Sequence, residues 1–345
     1  MSLKSNFIDT TLYMKFAVVA LLTSLLSGGN YLGWFLSMLT TYFIMVNNSI
    51  QTVGFFTASN KQNNKINTFY FLSVVFVVTM LFSWLCYKRE LHFLLLNRTR
   101  YNPHLSIFLL LLPVIIDILT KLRMPLSAAF LVIPVFSDSG TVKGMVTKTF
   151  MSYVLAFVVS FLAWKIIYTL FRGHVRVKKD EQIGKVWIFM EYIFTGAVWA
   201  MWLTISACNF VVFLPRVFVL KDFILFLFMG ILCIYLMVYN GGGEMLKIIE
   251  DKSDIDIKNT TIFNALLSIT MLIIRCVSKI PITSTWMFLG TMAGRELAVA
   301  SSSAVSKYKS CYKKILIDLK LAIFGIVLSL ITVEILLFVI NLFNK

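Results

Sequence analysis

Val46-Asn47-Asn48-Ser49-Ile50-Gln51-Thr52-Val53-Gly54 is the stretch on which the interpretation of this chain depends. It places amides and hydroxyls side by side directly after the apolar run 31–46. In a bilayer each buried polar group must find a partner inside the protein, so polar groups gathered at this depth indicate a binding site. A weaker version of the pattern follows at Ser206-Ala207-Cys208-Asn209-Phe210-Val211-Val212-Phe213-Leu214-Pro215-Arg216.

The composition is that of a membrane protein. Of the 345 residues, 59% are hydrophobic and 14% are charged, and the mean hydropathy is +0.85. Soluble domains have a charged fraction nearer ~25%. Long apolar runs such as 69–87 replace the short alternating segments of an outer-membrane barrel. We therefore predict an all-α, polytopic transmembrane helical bundle, and we expect a multi-pass protein of the bacterial inner (plasma) membrane because the sequence shows no eukaryotic targeting signal.

The formal net charge of +16 does not indicate nucleic-acid binding, because most Lys and Arg residues fall between the apolar runs. This distribution follows the positive-inside bias of membrane proteins. The densest basic cluster spans 172–185, and we expect it in the cytoplasm together with a second basic set at 307–320. Five scattered cysteines without paired spacing predict neither a disulfide nor a metal site.

Two short apolar segments begin at proline, one at Pro125 and the other at Pro281. At about a dozen residues each, the segments 125–136 and 281–293 are too short to span a bilayer as helices. We predict that they form half-helices or re-entrant arms, which are tolerated at membrane depth where protein surrounds them.

These two segments occupy matching places in a chain that repeats itself. Ser106-Ile107-Phe108 aligns with Thr261-Ile262-Phe263, and Pro125 aligns with Pro281 one residue later. Duplicated halves with interrupted segments in matching positions point to a transporter whose site lies at the repeat interface. Whether the repeats are inverted or parallel depends on the number of spans in each, and we expect inverted ones. The predicted parts are a first transmembrane repeat over 1–171, a basic cytoplasmic linker over 172–186 and a second transmembrane repeat over 187–345.

The polar motifs resemble those of the inorganic phosphate transporters of the PiT type. Each half of those proteins carries Gly-Ala-Asn-Asp-x-Ala-Asn-Ser-x-Gly and, further on, Pro-x-Ser-Thr-Thr-His. The residues that match the first motif are Asn47, Gln51, Thr52 and Gly54 in one half and Asn209 in the other. The residues that match the second motif are Pro125 and Ser127 in one half and Pro281, Thr283, Ser284 and Thr285 in the other. The resemblance implies phosphate transport.

The departures from that family concern its charged residues. Asn48 and Phe210 stand at the acidic position that helps to hold the coupling cation in the family, and Phe130 and Trp286 stand at its histidine position. The resemblance implies sodium as the coupling ion, although the acidic residues that help to hold it in the family are absent here. Proton coupling is the other expectation. The carboxylates inside apolar runs that would carry a proton are Asp117, Glu191 and Glu334.

An oxyanion in the membrane needs donors that do not repel it, such as hydroxyls, amide NH2 groups and the backbone N–H groups of a helix N-terminus. Proline suits the first turn of a helix, so each proline segment would present such a terminus. Arg216 is a further candidate because it falls seven residues after Asn209, and a guanidinium binds oxyanions bidentately. The predicted substrate-binding residues are Asn47, Asn48, Gln51, Thr52, Ser127, Asn209, Arg216, Thr283, Ser284 and Thr285. Alternatively, the prolines begin ordinary helices and Arg216 is an interfacial residue.

The sequence thus predicts a secondary transporter that moves inorganic phosphate or a related oxyanion by alternating access. Its environment would be the lipid bilayer, in a homo-oligomer, with no cofactor beyond a coupling sodium ion or proton and no enzymatic activity. A non-coupled channel or scaffold derived from the transporter fold is the alternative favoured by the missing acids. An intramembrane enzyme is a weaker alternative, because the three histidines lie in or near connections and no acidic pair has metal-binding spacing.

Overall fold

The structure is a computed structural model, and it describes residues 30–59, 65–102, 105–121, 127–170, 184–239, 257–301 and 305–343. The predicted first span near 12–26, Pro125 and most of the basic linker lie outside these ranges. Within the ranges the regular secondary structure is helical, apart from two isolated antiparallel bridges. The prediction of an all-α fold is therefore confirmed.

Ten α-helices and two short 3₁₀ segments make up the described chain. The α-helices are α1 Tyr31–Ser59, α2 Lys65–Cys86, α3 Leu111–Lys121, α4 Ala129–Val132, α5 Ser139–Leu170, α6 Lys185–Val211, α7 Leu220–Tyr239, α8 Ile257–Val277, α9 Ser284–Ser301 and α10 Val305–Phe343. The 3₁₀ segments Ile107–Leu110 and Ile133–Phe136 directly precede α3 and directly follow α4.

Six of the described helices are long and apolar enough to cross a membrane, namely α2, α5, α6, α7, α8 and most of α10. Helix α10 shows why their surface suits lipid: Phe324, Ile331 and Ile335 face outward and are exposed, whereas Ser329 is fully buried. Exposed apolar stripes of this size would be unfavourable in water. The fold is therefore consistent with a multi-pass membrane protein. Helices α1 and α9 are not among these six, and they contain six of the ten predicted binding residues, namely Asn47, Asn48, Gln51, Thr52, Ser284 and Thr285.

The structured connections gather at one end of the bundle, which we call the loop end and define by residues 87–102, 136–138 and 212–219. Helix α1 starts there, since the Asn30 side-chain amide donates to the Phe213 carbonyl at 3.3 Å. Helix α2 ends there, since the Trp84 indole N–H donates to the Phe218 carbonyl at 3.0 Å. At the other end of the bundle, the start of α2 and the end of α7 are joined by a hydrogen bond from the Lys65 ammonium to the Tyr239 carbonyl.

Further contacts give the direction of the remaining long helices. Helices α5 and α7 start at the loop end, whereas α6 and α8 end there; the Arg275 guanidinium near the end of α8 donates to the Phe93 carbonyl in that region. Helix α10 also ends there, because Leu337 and Ile340 near its end line one cavity with Arg100 and Asp138. Helix α9 runs parallel to α5, as the ordered pairs Phe150–Trp286, Ser160–Thr291 and Lys165–Ser301 demonstrate.

Two glycines allow α9 to pack very closely against α5. A Cβ atom placed on Gly290 would lie 2.5 Å from the Tyr153 carbonyl oxygen, and one on Gly294 would clash with the Phe157 carbonyl oxygen. Small residues at four-residue spacing let helix backbones approach in this way in membranes. The Ser160 hydroxyl uses the proximity to donate to the Thr291 carbonyl at 2.7 Å. A helix from the second half of the chain is thus fixed against one from the first.

Two expectations about interrupted helices need correction. The apolar span before the polar run at Asn47 was expected to cover 31–46, but α1 continues unbroken through the polar run to Ser59. The proline segment at 281–293 was expected to be about a dozen residues long, but α9 has 18 residues and begins three residues after Pro281. Buried packing on both sides of the polar run overrides the low helix propensity of Asn and Ser.

The arm that follows Pro125 agrees with the prediction where it is described. From Ser127 the chain forms only α4 and the adjoining 3₁₀ segment before it reaches Phe136. Phe136 lies at the loop end, where its carbonyl accepts from the backbone N–H of Arg100 at 2.9 Å. About ten residues of helix rise only ~15 Å, half of a bilayer core. This segment is therefore too short to span.

Candidate functional site

Helix α1 carries a buried polar stripe that is longer than the sequence motif. Asn47, Asn48, Gln51 and Thr52 recur at three- and four-residue spacing, so they share one side of the helix. All four are less than 10% exposed. The stripe continues toward the loop end through three further buried hydroxyls, Ser37, Thr40 and Thr41. Their same-face spacing was visible in the sequence, but it lay inside a run that was interpreted as uniformly apolar.

Three phenylalanines define the level at which α1, α8 and α9 meet. The ring of Phe55 on α1 lies 4.6 Å from that of Phe263 on α8 and 6.1 Å from that of Phe288 on α9. Phe263 and Phe288 are themselves 5.8 Å apart, measured between ring centroids. The three rings form a closed apolar contact, and the polar residues one turn away from it must lie at a common level.

Helices α1 and α9 both run away from the loop end. Gln51 therefore lies one turn nearer the loop end than Phe55, and Ser284 lies one turn nearer the loop end than Phe288. Helix α8 runs the opposite way, so one turn toward the loop end from Phe263 lies near Ser268. We call this level the central polar cluster. It comprises Asn47, Asn48, Gln51 and Thr52 of α1, Asn264 and Ser268 of α8, and Thr283, Ser284 and Thr285 at the start of α9. Predicted site residues from both halves therefore lie at a common level along the bundle.

Helix α9 starts deep inside the bundle. Its Trp286 ring lies 4.9 Å from the ring of Phe150, which is eleven residues into α5 and hence ~16 Å along it. The chain reaches this depth through the non-helical residues 278–283. The Lys148 ammonium donates to the Ser278 hydroxyl at 3.0 Å and holds the start of that segment. The N-terminal N–H groups of α9 consequently face the interior, where they favour negative charge.

Several polar atoms of the cluster are buried without a hydrogen-bond partner among the described residues. They are Asn47 Oδ1 and Nδ2, Asn48 Oδ1, Gln51 Oε1 and Thr283 Oγ1. An unpaired amide or hydroxyl in an apolar environment costs several kcal/mol, roughly 2–7 by transfer measurements. A concentration of such unpaired groups in one place is characteristic of a site that receives a polar ligand.

Asn264 and Thr195 belong to the same region and were not anticipated from the sequence. The Asn264 amide donates to the Thr195 hydroxyl at 3.0 Å, which ties α8 to α6 next to the phenylalanine contact. Both side chains are fully or almost fully buried. A lone Asn inside an apolar run was the available signal, but nothing in the sequence distinguished it from a structural hydrogen bond.

Three predicted residues lie elsewhere, namely Asn209, Ser127 and Arg216. The Ser37 hydroxyl donates to the Phe210 carbonyl at 2.6 Å, which puts Asn209 level with the start of α1. Helices α1 and α6 are antiparallel, since Phe56 meets Tyr192 at 5.0 Å, so Asn209 is about 15 Å along the helix from Asn47. Its Oδ1 atom also has no partner within the described ranges. Ser127 is buried at the inner end of the α4 arm.

Arg216 lies at the loop end, in the non-helical stretch between α6 and α7. Its guanidinium donates to the Thr99 hydroxyl at 2.9 Å and lies 5.9 Å from the ring of Tyr101. Burial and the charge of Arg216 lower the pKa of His92 to about 4, so this imidazole is neutral at pH 7. Glu90 faces His92 with an oxygen–nitrogen distance of 3.4 Å. The structure therefore places the Arg216 charge at the loop end, which is the end toward which the polar stripe of α1 extends.

The central polar cluster itself consists of neutral amides and hydroxyls. Among the described residues, no group of three or more His, Cys, Asp or Glu side chains is placed to hold a metal ion. Of the three carboxylates considered as proton carriers, Glu191 is fully buried and adjoins Tyr192, whose ring contacts that of Phe56 on α1. Glu334, by contrast, faces outward and is exposed.

Comparison with known proteins adds no relative. No family model, no curated protein and no solved structure matches this chain. The resemblance to the PiT-type motifs consequently remains an expectation from the sequence, and the function must be argued from the residues themselves.

Proposed function

We propose that this protein is a secondary transporter that moves inorganic phosphate or a related oxyanion through the central polar cluster by alternating access. The single observation that carries the proposal is the set of unpartnered amide and hydroxyl atoms buried where α1 meets the start of α9. Of these atoms the Asn47 amide nitrogen and the Thr283 hydroxyl can donate to an oxyanion, and together with the N-terminus of α9 they would bind it without the cost of burying a second charge. The amide oxygens of Asn47, Asn48 and Gln51 accept hydrogen bonds and would instead face a cation or a donor group of the ligand.

Helix directions support two inverted repeats. Corresponding helices run in opposite directions, since α1 leaves the loop end whereas α6 approaches it, and α5 leaves it whereas α10 approaches it. Helices α2 and α7 have the same opposite relation. Inverted repeats place their sites at the repeat interface, and the cluster would lie there because it draws on α1 from one proposed half and on α8 and α9 from the other. The proposed halves are divided between α5, which ends at Leu170, and α6, which begins at Lys185.

The stripe formed by Ser37, Thr40 and Thr41 would be the path from the loop end to the cluster, with Arg216 and Asn209 near its entrance. A proton is the proposed coupling ion, with Glu191 as its carrier, because Glu191 is fully buried whereas the other two candidates, Asp117 and Glu334, are not. Sodium, held by the amide and hydroxyl oxygens of the cluster, is the second candidate. The proposed location is the bacterial inner membrane with the basic linker in the cytoplasm, in a homo-oligomer.

Uptake by reconstituted protein tests the function. Liposomes that contain the full chain would take up labelled phosphate under a proton gradient, a sodium gradient or neither. We expect uptake that depends on one gradient, and Gln51→Leu should reduce it. Thr57→Val is the matched control on α1, because the Thr57 hydroxyl bonds only to the carbonyl one turn before it, at 3.0 Å. Equal uptake with and without protein, for phosphate, sulfate and arsenate alike, would contradict the proposal.

A non-coupled channel is the second candidate, and Asn48 is the observation that favours it. A neutral amide at this position would hold a coupling cation less strongly than a carboxylate would. Uptake that follows the phosphate gradient alone, unaffected by Glu191→Gln, would identify the channel.

A further inference from the structure

A cavity of about 570 Å³ opens at the loop end, away from the central polar cluster. Two paired segments form part of its wall: Thr99 and Ser137 make an antiparallel bridge, and the Arg100 N–H donates to the Phe136 carbonyl at 2.9 Å. The last turns of α10 and the residues before α3 close the other sides. Its size falls within the range of small-molecule sites.

The lining of the cavity carries both charges and an apolar wall. Arg100 and Asp138 lie on the paired segments, with Asn102 and Ser106 beside them, whereas Leu337 and Ile340 contribute an apolar side from α10. The hydrogen bond from the Thr141 hydroxyl, 2.6 Å from Asp138, lowers the pKa of that carboxyl and keeps it ionised at neutral pH. A positive and a negative group thus face one space.

The apolar wall continues onto the outer surface of the bundle. Ile107 and Phe338 adjoin lining residues in the chain, and they are 66% and 68% exposed. Exposed apolar side chains on these helices are the surface that lipid tails would cover. A ligand in the cavity therefore has polar contacts at one end and a lipid-facing surface at the other.

We propose that this cavity binds the headgroup of a zwitterionic phospholipid, with its phosphate at Arg100 and its ammonium at Asp138. A guanidinium binds phosphate oxygens with charge-assisted hydrogen bonds, and a carboxylate does the same for an ammonium group. Free inorganic phosphate fits less well, because Asp138 would repel it and the apolar side would have no partner. The acyl chains would lie along α10 and the start of α3. This inference does not depend on the proposed transport function.

The test uses the full chain in nanodiscs that contain equal amounts of phosphatidylethanolamine and phosphatidylglycerol. After transfer to detergent, native mass spectrometry counts the lipids that remain bound. We expect retention of phosphatidylethanolamine in severalfold excess. Arg100→Gln should lose both lipids, whereas Asp138→Asn should shift the preference toward phosphatidylglycerol. Arg98→Gln, which removes an exposed arginine outside the cavity on the same loop, should leave retention unchanged.

Asparagine still accepts the Thr141 hydrogen bond, so Asp138→Asn should fold normally. Ile340→Trp provides an independent variant, because it fills the cavity and should expel the lipid without changing a charge. Retention that is identical in the wild type, Arg100→Gln and Ile340→Trp would overturn the proposal. Displacement of the bound lipid by millimolar inorganic phosphate would overturn it as well, since the cavity would then be an inorganic anion site.

Discussion

The rings of Phe55 and Phe288 lie with their centroids 6.1 Å apart, although 233 positions separate them in the sequence. Because their helices run in the same direction, this contact brings Gln51 and Ser284 to the same depth. These are the residues that the sequence proposed, independently, as ligands from each half. The apolar contact closes one side of the central polar cluster.

Gln51→Leu and Ser284→Ala should each lower phosphate uptake, by about tenfold if each removes one hydrogen bond to the ligand. Since both groups would act on one bound ion, the double variant should be less impaired than the product of the single effects predicts. Initial rates of labelled phosphate uptake in liposomes, compared among the two single variants and the double variant, measure the interaction between the two substitutions. Strictly multiplicative effects would place the two residues at separate sites.

Gly290→Ala and Gly294→Ala should destabilise the protein by about 1–3 kcal/mol each, because the added methyl groups would meet the α5 backbone. Thermal unfolding in detergent, followed by intrinsic fluorescence, measures the loss. Gly184→Ala is the matched control, since a Cβ atom at that position meets nothing within 4 Å. Unchanged unfolding temperatures for both α9 variants would show that α5 and α9 are not packed as described.

Stability should fall between pH 6.5 and pH 4 because of His92. Its pKa is about 4 in the folded protein and 6.5 in the unfolded chain, so the unfolded chain binds the proton first as the pH decreases. The full stabilisation is present above pH 6.5, and about 3 kcal/mol is lost on reaching pH 4. Unfolding temperatures measured across this range should decline less steeply for His92→Gln. An identical decline in that variant would assign the pH dependence to other groups.

Arg216→Gln should raise the KM for phosphate severalfold and leave kcat unchanged, because a charge near the entrance accelerates encounter rather than translocation. The difference from the wild type should shrink at high ionic strength. Arg216→Lys should recover part of the effect. A lower kcat with an unaltered KM would instead place Arg216 in the binding site during transport, as its spacing from Asn209 predicted.

Features of this fold were predictable where a local sequence pattern determines them. Apolar runs gave the spanning helices, and proline at 281 indicated that a helix starts in this region, although α9 begins three residues later than expected. The unbroken course of α1 through Asn47 was not predictable, since tertiary packing decides it. Nor was the contribution of Asn264, whose partner Thr195 lies 69 positions away. The separation of Asn209 from Asn47 also depends on how α1 and α6 slide past each other, which no motif encodes.

The glycine contacts between α5 and α9 also have a consequence for biogenesis. Gly290 and Gly294 are synthesised more than a hundred residues after the helix they rest on, so the groove on α5 remains unfilled while most of the second half is still being inserted. Neither half of the chain can fully pack its own interior without the other half. The chain should therefore pass through a long-lived, partly assembled membrane intermediate, and co-expressed halves split after Leu170 should protect one another from proteolysis although each alone is degraded.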